Sequence, residues 1–107
     1  PIPLDVKIAF YRVAQDALHN IAKHAEATQA WLSLTHAPTS LHLTIRDDGI
    51  GFDLQKLKPD HFGLGIMRER ALQVAAQFSV ESQPGAGTVI NLSWQEALKN
   101  NSEEISQ

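Results

Sequence analysis

Four polar residues, Arg12, Asp16, Asn20 and Lys23, recur at steps of four, four and three. On a helix that spacing sets them along one stripe. An acid, an amide and an amine in such a row suit a metal–phosphate group. The amide oxygen of Asn20 is a hard ligand able to complete the shell of Mg²⁺. Lys23 would bring positive charge to a phosphate one turn along, and Asp16, one turn before Asn20, could orient a water. The same stripe also suits a helix face that only meets water. A second candidate is Asp47-Asp48-Gly49-Ile50-Gly51-Phe52. Gly49 and Gly51 allow backbone to approach a flat ligand, or to turn sharply. A carboxylate just before them can accept hydrogen bonds from an amino group such as that of adenine. The plain alternative is a glycine-rich turn after an edge strand. A third candidate is Gly63-Leu64-Gly65 at the start of a helix. Glycines there leave amide N–H groups free for phosphate oxygens, and the helix dipole favours the negative charge. Glycine also serves as a plain loop hinge. Met67 reads as core filler, and Arg68, Glu69 and Arg70 read as surface charges.

The elements that must position these residues follow from periodicity. Pro3 then Asp5 suggests a turn and a helix start, with Asp5 as N-cap. The helix is expected from Asp5 or Val6 to His24 or Ala25. Phe10, Val13, Ala14, Ala17, Leu18 and Ile21 form its apolar face. A strand is expected over Ala27 to His36, with Ala30, Leu32 and Leu34 on one face. Pro38 marks a hairpin connection to a second strand, Leu41 to Asp47, pairing antiparallel with the first. Asp53 to Phe62 is polar and contains Pro59, so it reads as a mobile loop. A second helix is expected from Leu64 to Gln77, with Ile66, Met67, Ala71, Leu72, Val74 and Ala75 as its apolar residues. A β-hairpin closes the ordered part: Phe78 to Gln83, a turn at Pro84-Gly85-Ala86-Gly87, and Thr88 to Trp94. Gln95 onward is polar, so a frayed or disordered tail over 96–107 is expected.

Composition narrows the class. The chain has 107 residues, enough for one domain. Hydrophobic residues make up 43% and charged residues 20%, a globular balance. The formal net charge is -3 and no Lys/Arg cluster stands out, which argues against a nucleic-acid partner. No cysteine is present, so disulfides and thiolate metal sites are excluded. No apolar run approaches the roughly 18 residues of a membrane helix. The chain opens on Pro1 and its one methionine is Met67, so it is expected to be a piece of a longer protein. The sequence has no Walker-type loop, no third glycine for a dinucleotide fingerprint, no His-Glu-x-x-His and no Gly-x-Ser-x-Gly.

The order of the motifs is more specific than any one of them. The run from Gln15 to Ala25, QDALHNIAKHA, resembles the N box of the GHKL (Bergerat-fold) ATP-binding domains. Asp47 to Phe52 resembles the first glycine box. Gly63 to Ala71, GLGIMRERA, resembles the second box in the form seen in sensor histidine kinases of the nitrate-sensor (NarX-like) branch. Gly85-Ala86-Gly87-Thr88 resembles the final box. All four stand in order between about residues 8 and 94.

The resemblance implies a two-layer α/β sandwich: a mixed, mostly antiparallel sheet with helices on one face, formed by residues 1–95. It implies a catalytic ATP-binding domain of a two-component sensor histidine kinase, with ATP and Mg²⁺ as cofactors. Asn20 would bind Mg²⁺ bridging the phosphates, and Lys23 and His24 would approach the phosphates. Asp47 would accept from the adenine amino group, with Gly49 and Gly51 letting the base sit close. Gly63 and Gly65 would shape the phosphate contacts, and Thr88 would help close the adenine pocket, often through water. Asp16 stands where this branch often has Glu, and Gly65-Ile66 where it often has Arg-Gly. None of the five histidines is followed by an acid, so the phosphoacceptor is expected on a dimerisation domain outside this chain. A response regulator would be the further partner, and a cytoplasmic location is expected, with anchoring of the parent in the inner or plasma membrane left open. Two other classes stay open: a docking or nucleotide-binding module without kinase activity, and a hydrolysing ATPase of the same fold.

Overall fold

The computed structural model describes residues 2–56 and 63–97. The 57–62 part of the expected mobile loop and positions 98–107 of the expected tail lie outside the described residues. Helix α1 spans Leu4–Asn20, one residue earlier than Asp5. Pro3 takes the N-cap position, where its missing N–H costs nothing because the first helical N–H groups have no partner anyway. Asp5 therefore does not cap the helix. It lies in the first turn, where its Oδ1 accepts from the Val6 N–H at 2.9 Å and its charge suits the helix N-terminus. Val6, Ala9, Phe10, Val13 and Ala17 are buried. Leu18 is exposed, contrary to its expected place on the apolar face. The buried row runs through positions three and four apart, and Leu18 falls beside it.

The helix does not continue as an α-helix to Ala25. From Ile21 to Ala25 it widens into a π turn. It ends at Glu26, whose φ of 51° is left-handed. Widening a turn re-aims the side chains that follow, here Lys23 and His24. The Ala25 carbonyl accepts from the Ile50 N–H at 2.8 Å, so the widened turn is fastened to the first glycine segment.

Strands β1 (Ala30–Ala37) and β2 (Ser40–Asp47) form the expected hairpin around Pro38-Thr39. β1 begins at Ala30 rather than Ala27 because Asp48 holds the preceding residues. Its Oδ1 accepts from the Thr28 and Gln29 N–H groups at 2.9 and 3.0 Å, and its Oδ2 from the Thr28 hydroxyl at 2.6 Å. Helix α2 spans Leu64–Gln73 and stops well short of Gln77. Ala75 turns left-handed at φ 57°. The Ala76 and Ala75 N–H groups then bond the Ala71 and Leu72 carbonyls at 2.8 and 3.1 Å, closing the helix end. Met67 and Ala71 are its buried residues, while Ile66 and Leu72 face outward. Strands β3 (Gln77–Ser82) and β4 (Thr88–Gln95) complete the fold.

The sheet order is β1-β2-β4-β3. Every strand pairing among the described residues is antiparallel, so the expected mixed character is not found there. The β2–β4 register stacks Leu41 on Trp94, Leu43 on Leu92, Ile45 on Ile90 and Asp47 on Thr88. Strand alternation sends this whole row to one face. Its apolar part forms the core with Val6, Phe10, Val13, Ala17, Met67 and Ala71 of the two helices. Helices on one face of one sheet give the two-layer α/β architecture. The opposite face is polar: Arg46 lies over the Trp31 ring at 4.3 Å, and the Thr44 hydroxyl donates to Asn91 Oδ1 at 2.9 Å. β1 is exposed along its length, with Leu32 and Leu34 half open on the core-side face.

Candidate functional site

The apolar row ends where the site begins. Asp47, the last residue of β2, is the only buried charged or polar side chain among the described residues. It faces a narrow cleft lined by Ala17 and Asn20 of α1, Ile21 and His24 of the π turn, and Ile45, Gly51, Thr88 and Ile90. Burying a carboxylate is costly unless it is hydrogen-bonded. Asp47 Oδ1 accepts from the Gly49 N–H at 2.8 Å. The cleft holds about 50 Å³ of open space, room for one or two waters. Ile50, half exposed, also lines this cleft.

The glycines are required by close approach. A Cβ on Gly49 would collide with the Ala25 carbonyl at the end of the π turn. Gly51 has φ of 61°, and a Cβ there would collide with the Gln83 carbonyl. The first glycine segment is thus wedged between the end of the helix and the β3–β4 turn. The Gly85 N–H also bonds the Ile50 carbonyl at 2.6 Å.

Ser82, on β3, organises the far wall. Its hydroxyl donates its one proton to the Gly87 carbonyl at 2.9 Å and accepts from the Phe52 N–H at 2.9 Å. Its contact with Thr88 Oγ1, also 2.9 Å, must then run from Thr88 to Ser82. Thr88 spends its proton on Ser82 and offers the cleft only lone pairs. Asp47 and Thr88 therefore present acceptors to a cleft that also carries Asn20 and His24 among apolar walls. Such acceptors suit a ligand carrying an N–H donor.

A second cleft of about 220 Å³ opens beside the first. It is lined by Asp16, His19 and Asn20 of α1 and by Gly63, Ile66 and Arg70. Arg70 Nε stands 3.5 Å from Asp16 Oδ2. This Nε is buried and has no hydrogen-bond partner among the described residues. Asn20 lines both clefts.

A family described as histidine kinase-, DNA gyrase B- and HSP90-like ATPase matches residues 5–98 of this chain. The chain belongs to that family. It is 36% identical over 91 residues to the signal transduction histidine-protein kinase/phosphatase DegS of Brevibacillus brevis, an alignment covering 85% of this chain and 24% of DegS. It is 34% identical over 91 residues to the sensor protein VraS of Staphylococcus saprophyticus, covering 85% of this chain and 26% of VraS. The chain thus spans about a quarter of the length of these relatives. Among solved structures, a blue-light activated histidine kinase of Erythrobacter litoralis matches 94% of this chain and 33% of its own at a TM-score of 0.73 and 20% identity. The ATP-binding domain of PrrB from Mycobacterium tuberculosis matches 84% of this chain and 68% of its own at 0.68 and 22% identity. At those identities the likeness is one of fold.

In this ATPase-family domain the residues singled out by sequence fall into three groups. Asn20, His24, Asp47, Gly51 and Thr88 share the first cleft. Asp16, Asn20 and Gly63 share the second. Gly49 backs the first cleft through its N–H bond to Asp47. Lys23, on the exposed side of the π turn, and Gly65, in the first turn of α2, line neither cleft. Ser82 and Arg70 escaped the sequence reading. Ser82 shares the core-side face with Phe78 and Val80, and alternation could have found it. Arg70 looked like one charge in a charged run. It falls seven residues after Gly63 and four after Ile66, on the same side of α2. No cluster of three or more His, Cys, Asp or Glu side chains able to hold a metal exists among the described residues. Asn20, shared by the two clefts, carries an amide oxygen, a hard donor of the kind a divalent cation accepts.

Proposed function

We propose that this chain is the Mg–ATP-binding catalytic part of a sensor histidine kinase. The γ-phosphoryl group of ATP would pass to a histidine on a dimerisation domain outside the chain, leaving ADP, and from there to a response regulator. The observation that carries the reading is the position of Asn20, the residue common to the acceptor-lined cleft and the Asp16–Gly63–Arg70 cleft. A base bound against Asp47 sends its phosphates past Asn20. Identity of 36% and 34% to proteins named as kinase and sensor supports the assignment. The Met67-Arg68-Glu69-Arg70 form of the second glycine box favours the nitrate-sensor branch.

In this reading Asp47 accepts from the adenine amino group and Thr88 accepts at the edge of the base, directly or through water. Asn20 is the protein's ligand to Mg²⁺, and the ion supplies neutralisation of phosphate charge. Gly63, Gly65 and the N-terminal turn of α2 face the phosphates with free N–H groups, while Lys23 and His24 add positive charge from the π turn. Catalysis here is positioning and charge neutralisation. Asp16, tied to Arg70, orients rather than abstracts. No described helix is long and apolar enough to cross a membrane; the cytoplasmic placement we propose rests on the kinase reading, with ATP as its ligand.

Calorimetric titration with a non-hydrolysable ATP analogue tests the reading. The wild-type chain should bind saturably and more tightly with Mg²⁺. Asn20→Ala should lose the Mg²⁺ enhancement. Equal affinity with and without Mg²⁺ in the wild type, or an unchanged Asn20→Ala, would contradict it.

A further inference from the structure

Arg70 is a charged donor in search of an acceptor. Its guanidinium is always protonated. Its Nε is buried without a hydrogen bond among the described residues, a state that costs free energy until an acceptor arrives. The nearest carboxylate oxygen, Asp16 Oδ2, lies at 3.5 Å. Charge-assisted N–H···O bonds close at about 2.7–2.9 Å, so this pairing is incomplete. Both side chains are only about two-thirds buried, at 31% and 39% exposure, so the guanidinium can shift.

The surroundings say which anion would complete it. Arg70 lines the cleft that also holds Asn20 and Gly63. Asp16 and His19 are the other titratable groups there. On its far side Arg70 borders a second hollow with Asp5 and Arg12. Among its described lining residues Asp5 is the carboxylate, and Arg12 adds a second cation. An anion entering the Asn20 cleft shares it with the Asp16 carboxylate, and like charges repel unless the cation intervenes.

We propose that Arg70 reads the terminal phosphate of a nucleoside triphosphate. With no triphosphate its charge is shared with Asp16. When a third phosphate passes Asn20, Arg70 turns to it, and its neutral pairing with Asp16 becomes a bridge between the two anions. A diphosphate is too short to engage it. Arg70 is thus a specificity-determining residue for triphosphate over diphosphate. The inference rests on the nucleotide reading above.

The test compares binding of Mg–ADP and a Mg-bound non-hydrolysable ATP analogue by calorimetry. The wild type should prefer the triphosphate. Arg70→Gln should weaken the triphosphate about tenfold or more, as expected for loss of a hydrogen bond to a charged group, and the diphosphate less than about twofold. Asp16→Asn, which frees Arg70, should tighten the triphosphate and leave the diphosphate unchanged. Equal losses for both nucleotides in Arg70→Gln would overturn the proposal and reduce the ion pair to a clamp between helices. No loss for either would overturn it as well. If Arg70→Gln fails to unfold cooperatively, Arg70→Lys carries the same comparison. A weakened triphosphate alone supports the proposal there, and an equal change in both nucleotides, or no change in either, overturns it. A wild type that binds neither nucleotide overturns the nucleotide reading itself.

Discussion

Two adjacent carboxylates at the end of β2 do different work, and strand alternation separates them. Asp47 follows Leu41, Leu43 and Ile45 onto the core-side face and is buried there. Asp48 points the other way and ties down Thr28 and Gln29. Asp47 was legible because the motif and the alternation agree. Ser82 was less legible: alternation puts it on the core-side face, but a serine there shows no role until its partners are known. Its hydroxyl joins the Phe52 N–H, the Gly87 carbonyl and Thr88. Ser82→Ala strands the first two in a half-buried setting. It should lower unfolding free energy by about 1–3 kcal/mol, measured by denaturant titration, and should weaken nucleotide binding as Thr88 loses its orientation.

Elements carry the next set of consequences. The first glycine segment fits only because Gly49 and Gly51 lack side chains. Gly51→Ala combines a left-handed backbone with a collision at the Gln83 carbonyl, so about 1–3 kcal/mol of destabilisation is expected, read as a lowered denaturation midpoint. Asp48 gives a pH signature. Hydrogen bonding from the Thr28 hydroxyl, then from the Gln29 backbone, holds its carboxyl below the ordinary value of 3.8. The folded chain therefore takes up this proton less readily than the unfolded one. The resulting stability is in place above pH 3.8 and is lost as pH falls through the folded value. Wild-type denaturation midpoints should fall more steeply below that pH than those of Asp48→Asn. Among the described residues, sequence reading placed both α-helices and the four strands and left the short 3-10 turn Leu54–Lys56 in a loop; it missed the π turn and the early end of α2. Both depend on contacts distant in sequence or on a left-handed residue, Glu26 or Ala75, that no periodic pattern announces.

At the scale of the whole molecule, one register holds core and site together. The row from Leu41 to Asp47, stacked on Trp94 to Thr88, is core for three pairs and site for the fourth. Leu92 is fully buried in it, so Leu92→Ala should cost about 2–5 kcal/mol and loosen the cleft. The apolar alternation of β2 and β4 and the helical spacing of α1 agree with this architecture, which the resemblance of the four boxes implied. The openness of β1 was not readable, because Leu32 and Leu34 have the same pattern as buried strand residues and only the placement of the helices leaves them bare. The most direct measurement is calorimetric titration of this chain with a non-hydrolysable ATP analogue beside Asp47→Ala. Saturable binding in the wild type, weakened about tenfold or more in a folded Asp47→Ala, is expected of an adenine pocket built on that carboxylate. Unchanged affinity in the variant, or no binding by the folded wild type, would contradict it.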